Sequence, residues 1–191
     1  MSEWDNIAEE VDFNLEISIE DFVTTGSKRN KVLDFGCGYG RITNQLNQLG
    51  YSHLIGVDSS MEMIKRGLNE YPYLDLRPIS DSILPFPDHE FDSIITCAVF
   101  TCIPSQYARK KLLKELRRVL QPNGVLYLAE FCSDKSLRFT SGAGVPMWHS
   151  QQSELEGMLD GFNIELSKAV ESSTMSGILS NASHIIARKI I

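Results

Sequence analysis

The chain has 191 residues, 42% hydrophobic and 23% charged, a balance that excludes disordered and collagen-like classes and leaves length for one full core. A formal net charge of −7 gives no footprint for non-specific nucleic-acid binding. No apolar run reaches membrane-spanning length, and the acidic start Met1-Ser2-Glu3-Trp4-Asp5 lacks the regions of a signal peptide, so a cytoplasmic setting is expected.

Residues 1–29 carry Ile7, Val11, Phe13, Leu15, Ile17, Ile19 and Phe22 among many acids, and are expected to form a helical cap or lid. The alternation from Phe13 to Ile19 fits extended chain equally well, and Gly26 supplies a stop signal for a second helix. From Lys31 strands and helices alternate: a strand over 31–36, a helix over 40–49, a strand over 53–58, and a helix over 61–70 with Ser60 as N-cap. A short strand over 74–79 precedes the turn chemistry of Pro85 and Pro87-Asp88. The near-continuous apolar run within 91–97 is that of a strand buried on both faces. The plainest helix, 105–120, turns a basic face outward and stops before Pro122-Asn123-Gly124. A strand over 124–131 follows, then an irregular stretch over 132–150, a helix over 153–159, and two closing strands over 162–170 and 182–190. The alternation predicts an α/β fold with a mostly parallel sheet covered by helices on both faces, the last two strands adding an antiparallel edge. Ligands of such sheets bind beyond the carboxyl ends of the strands.

The run Asp34-Phe35-Gly36-Cys37-Gly38-Tyr39-Gly40 lies at the first of those ends. Its glycines are spaced more tightly than in the GxGxxG dinucleotide fingerprint, which argues against a nicotinamide-dependent oxidoreductase. Bare backbone lets a ligand approach closely, and the acid upstream disfavours a diphosphate while accepting a sulfonium or ammonium. Asp58, followed by Ser59, ends the second strand, where one carboxylate can accept both hydroxyls of a ribose. Asp81-Ser82 follows the third strand, where a carboxylate and the next N–H match the edge of adenine; an Asx turn is the alternative. Cys97 ends the fourth.

These four signals, in order over 30–131, resemble the class I S-adenosylmethionine-dependent methyltransferases, and within them the small single-domain type 11 group. The likeness extends to Leu84-Pro85-Phe86-Pro87-Asp88 with Phe91-Asp92, and to Leu116-Arg117-Arg118-Val119-Leu120-Gln121-Pro122-Asn123-Gly124, where Asn123 stands for a more usual glycine and shares its tolerance of positive φ. The resemblance implies a Rossmann-like three-layer αβα sandwich with a seven-stranded sheet, a cofactor-binding core over 30–131, and an acceptor loop with closing strands over 132–191. It implies S-adenosylmethionine as methyl donor and S-adenosylhomocysteine as product. Asp58 and Ser59 would meet the adenosine, Asp81 and Ser82 the adenine, the turn of Asp34, Gly36, Gly38 and Gly40 the methionine end, and Cys97 its border.

Cys97-Ala98-Val99-Phe100 replaces the Asn/Asp-Pro-Pro-aromatic signature of enzymes that methylate amino groups of nucleic acid or protein, and none of the four cysteines follows a proline. The expected acceptor is therefore a small molecule, taken by a monomer or homodimer with no nucleic-acid, membrane or metal partner; a SAM-binding regulatory subunit and a protein or RNA methyltransferase are the alternatives. The acceptor site is expected from the N-terminal segment and the stretches 98–104 and 132–150. Within it, Met147 and Trp148 would wall the acceptor, Arg138 would pair with an anion, Trp4 would cover the site, and His149 would be the catalytic base, with Glu130 second.

Overall fold

The structure is a computed structural model that describes residues 3–80 and 83–191. Seven strands form its main sheet in the order β3-β2-β1-β4-β5-β9-β8. They are β1 (Lys31–Phe35), β2 (His53–Asp58), β3 (Leu76–Pro78), β4 (Phe91–Cys97), β5 (Leu120–Cys132), β8 (Phe162–Ser173) and β9 (Leu179–Lys189). β1 to β5 pair in parallel, and β9 runs antiparallel to both β5 and β8. This is the expected mostly parallel sheet with an antiparallel C-terminal edge. Strand order reverses between β1 and β4, which opens a crevice above their carboxyl ends.

Alternate residues of the central strands feed two cores, as a period of two requires. Leu33, Ile94, Leu126, Leu128 and Ile185 face α4 (Gln106–Val119) and α5 (Gln152–Glu156). Val32, Ile95, Tyr127, Ala129 and Ile186 face α2 (Arg41–Gln48) and residues Leu15, Ile17 and Phe22 of the N-terminal segment. The remaining helix of the core, α3 (Met61–Glu70), packs Ile64 on Leu74 and Leu76 beside the sheet edge. Ser60 caps it, its hydroxyl accepting the Met63 N–H at 3.2 Å, and Ser105 caps α4 through the Ala108 N–H at 3.3 Å. Asn123 adopts φ 62°, the conformation expected of a residue standing for glycine.

Two stretches differ from their sequence readings. Among the described residues the N-terminal segment holds a 3₁₀ turn, Glu3–Asn6, and one short helix, α1 (Ile19–Phe22); residues 11–18 form neither helix nor strand and pack beside the sheet as a strap. The strap is pinned where the Ser18 N–H donates to the Tyr127 hydroxyl at 2.7 Å, and that hydroxyl shares a hydrogen bond with His184 Nδ1 at 2.8 Å. Burial lowers the His184 pKa, which favours the neutral ring. The stretch expected to be irregular contains a hairpin instead, β6 (Leu137–Thr140) with β7 (Pro146–His149). No helix of the described residues is long and apolar enough to cross a membrane.

Candidate functional site

The turn after β1 is fixed from below by the neighbouring strand, since the Gly36 and Cys37 N–H groups both donate to the Val57 carbonyl, at 2.8 and 3.0 Å. Gly36 and Gly38 take φ of 73° and 55°, a left-handed backbone that disfavours side chains. Space forbids them too: a Cβ on Gly36 would lie 2.4 Å from Val99 Cγ2, and one on Gly38 would lie 2.7 Å from Phe13 Cε2. Gly40 begins α2 and packs toward Leu76, away from the crevice wall.

Two buried carboxylates flank this turn. Asp58 Oδ2 accepts the Gly38 N–H and Oδ1 the Ser60 N–H, both at 2.8 Å. A carboxylate has about four acceptor sites, so these two hydrogen bonds leave acceptor capacity for a ligand. Asp34 accepts the Thr43 hydroxyl at 2.6 Å. Burial raises both pKa values, that of Asp34 to about 6 against the pull of the Thr43 hydroxyl, and that of Asp58 against the N–H groups of Ser60 and Gly38.

The crevice is a cavity of about 660 Å³, within the range of about 300–1,000 Å³ usual for small-molecule sites. It runs from Asp58 and Ser59 at the end of β2, across the glycine turn, to Cys97 at the end of β4 and Phe131 on β5. The strap forms part of its wall through Phe13 and Leu15. Phe13 stacks on Tyr39 with centroids 5.5 Å apart, and Trp4 meets it edge-on at 5.6 Å. Arg41 grips the strap by donating to the Leu15 carbonyl and pairing with Glu16 at 2.5 Å, and the Cys97 thiol donates to the same carbonyl at 3.3 Å.

Asp34, Gly36, Gly38, Asp58, Ser59 and Cys97 thus meet in one cavity, with Trp4 and Met147 also on its wall. Asp81 and Ser82 lie outside the described residues. The residues expected to handle the acceptor fall otherwise. His149 is buried and off the cavity wall, stacked on Phe131 at 5.4 Å and edge-on to Phe139 at 5.0 Å. Burial lowers its pKa, and its place is behind the wall as a packing group. Trp148 is clasped between guanidinium groups, Arg109 at 3.7 Å and Arg138 at 4.1 Å from its ring centroid, so neither Trp148 nor Arg138 faces the cavity.

Glu130 has a different task from the one its position suggested. Fully buried, it accepts the N–H groups of Val99, Phe100 and Thr101 at 3.2, 3.1 and 2.8 Å, and the Thr101 hydroxyl at 2.8 Å. Arg109, also buried, donates to the carbonyls of Ile103, Phe100 and Trp148 and to the Ser150 hydroxyl. An anion on the N–H side and a cation on the carbonyl side hold the segment 98–103 as part of the cavity wall. Nothing in the sequence links Arg109 to Trp148, and the bond from Thr43 on α2 to Asp34 on β1 likewise appears only in the folded chain.

A family model described as a methyltransferase domain matches residues 33–128, half of the chain. An uncharacterized methyltransferase of Schizosaccharomyces pombe is 30% identical over 111 residues, 58% of this chain and 43% of that protein. A demethylmenaquinone methyltransferase of Paenarthrobacter aurescens is 30% identical over 125 residues, 65% of this chain and 44% of that protein. An eEF1A lysine and N-terminal methyltransferase of Bos taurus is 27% identical over 106 residues, 50% of this chain and 15% of that protein. The chain spans less than half the length of these relatives. Among solved structures, a SAM-dependent methyltransferase from Methanosarcina mazei superposes with a TM-score of 0.83 at 24% identity, covering 92% of this chain and all of that one. The 1,6-didemethyltoxoflavin-N1-methyltransferase of Burkholderia thailandensis, solved with its acceptor and S-adenosylhomocysteine, gives 0.68 at 20% identity over 85% of this chain and 72% of that one. At these identities the structural likeness speaks for the fold.

Proposed function

The chain belongs to the class I S-adenosylmethionine-dependent methyltransferases of the type 11 group, and from that premise we propose that it transfers a methyl group to a small-molecule acceptor. The observation that carries the reading is the single cavity shared by Asp58, the glycine turn and the apolar ends of β4 and β5. S-adenosylmethionine supplies a methyl group already activated on a sulfonium. The remaining acceptor capacity of Asp58 fits the hydroxyls of a ribose, and Gly36 and Gly38 present backbone without side chains on the cavity wall to the chain that joins ribose to methionine. Asp34 gives that end a carboxylate that favours a cation, and Asp81 and Ser82 are assigned to adenine on the sequence reading alone. The protein's work in an in-line displacement is to align the two partners and exclude water. Trp4, Phe13 and Leu15, placed over the crevice, serve the second purpose.

A small acceptor is favoured over a protein side chain by the part that Trp4, Phe13 and Leu15 of the N-terminal segment take in walling the cavity. Calorimetry tests the reading. S-adenosylhomocysteine and S-adenosylmethionine are expected to bind in the micromolar range and NAD not at all; NAD binding without either of them would overturn it.

A further inference from the structure

The acceptor half of the cavity has a composition that restricts what can react there. Beyond the ends of β4 and β5 its wall is made by Leu15, Cys97, Cys102, Phe131, Met147 and Met175. Leu15, Phe131 and Cys97 pack as one apolar cluster, and the Cys102 thiol lies 3.9 Å from Met147 Sδ. Four sulfurs and an aromatic ring make a soft, polarisable surface that suits a flat apolar molecule.

Among the described residues, that half lacks a group able to take a proton near neutral pH. Burial pushes the Cys102 thiol up to about 12 and the Cys97 thiol higher still. Arg41, a donor only, holds the Leu15 carbonyl and Glu16, and its buried Nε has no hydrogen-bond partner. His149 stands behind Phe131, and Glu130 is consumed by four hydrogen bonds from the segment 98–103. The other titratable side chains on the wall stand on other elements: Asp34 and Asp58 flank the glycine turn, Glu3 lies in the N-terminal 3₁₀ turn, and Lys111 and Glu115 lie on α4, where Glu115 accepts the Leu84 N–H.

We infer that the acceptor is an uncharged, apolar, flat molecule attacked through a neutral nitrogen lone pair, an aromatic amine or a ring nitrogen of azine or azole type; the inference rests on the methyl-transfer reading above. The nitrogen lone pair forms the N–C bond while the C–S bond breaks and its electron pair stays on sulfur as a neutral thioether. The positive charge passes from sulfur to nitrogen, and where the nitrogen carried a hydrogen, that proton leaves to water after transfer. No base is needed before the bond forms. A phenol or a carbon acid would need one, and a thiolate or carboxylate would lose much of its hydration against this largely apolar wall.

One scaffold with interchangeable groups tests this: isoquinoline, 2-aminonaphthalene, 2-naphthol and 2-naphthoate, each titrated into the chain saturated with S-adenosylhomocysteine and each assayed for methyl incorporation from S-adenosylmethionine. Expected are binding and methylation of the two nitrogen compounds at least tenfold above the other two, at a rate flat from pH 7 to 9. Preference for naphthol or naphthoate, a rate rising with pH, or failure of both nitrogen compounds to bind the saturated chain overturns the inference. Failure of S-adenosylhomocysteine itself to bind would instead refute the methyl-transfer reading.

Discussion

The Asp58 carboxylate, at the tip of β2, holds the Gly38 N–H of the neighbouring turn at 2.8 Å. One side chain therefore shapes the loop and faces the cavity at once. Replacing Asp58 with Ala should weaken S-adenosylhomocysteine binding by about 1–3 kcal/mol, the worth of a charge-assisted contact. Asp58→Asn retains one acceptor oxygen and should lose less. Calorimetry on both variants decides, and an unchanged affinity in Asp58→Ala would remove the residue from the site.

Asp34 ties stability to pH. Its folded pKa of about 6 stands above the ordinary 3.8, so between those values the folded chain holds the extra proton. Stability should therefore fall as pH climbs through that window, with the loss complete above about 6, by roughly 3 kcal/mol for two units. Asp34→Asn should melt higher than the parent at pH 7.5, and the gap should close near pH 4. The same carboxylate should make binding of cationic S-adenosylmethionine tighten from pH 5 to pH 7. A variant that melts lower at pH 7.5 would refute this account of the buried charge.

Gly36→Ala places a Cβ against Val99 on a backbone with φ of 73°. Handedness alone should cost about 1–2 kcal/mol, and displacement of Val99 more. Gly142→Ala, with nothing within 4 Å of the new Cβ, is the matched control and should change stability by less than about 1 kcal/mol. Urea denaturation of both measures the contrast; equal effects would mean that the turn tolerates a side chain.

Glu130→Ala strands three backbone N–H groups in the interior, and should cost at least about 3 kcal/mol in a denaturation experiment. Glu130→Gln keeps an acceptor oxygen and should be milder. His149→Phe preserves stacking on Phe131 and should leave S-adenosylhomocysteine affinity within twofold. Once an acceptor is in hand, the pH–rate profiles of Glu130→Gln and His149→Phe should match the parent. A lost acidic limb in either profile would restore that residue as a base.

What the sequence showed plainly was whatever depends on local periodicity. β2, β4 and α3 occupy the residues that alternation and capping indicated, because their apolar faces and the Ser60 cap are set within a few neighbouring residues. Clustering of Asp34, Gly36, Gly38 and Asp58 was legible for a related reason: parallel strands bring their ends together in a known order. The β6–β7 hairpin was not, since β6 is exposed throughout and its Leu137/Phe139 alternation spans only four residues. Trp148 and Glu130 misled because their roles depend on distant partners, Arg109 and the N–H groups of 99–101, which only the folded chain supplies.

The strap also has a history in time. Its anchors are Tyr127, 109 residues after Ser18, and the Ser173 carbonyl, which the Asn14 side chain reaches across 159 residues at 2.8 Å. A ribosome delivers residues 11–18 before either of these two partners, so those contacts must wait until residue 173 has been made. The cavity cannot assume its final shape until the tip of the β8–β9 hairpin has emerged, and a nascent chain halted after β5 would present its cofactor loop beneath an unfastened cover.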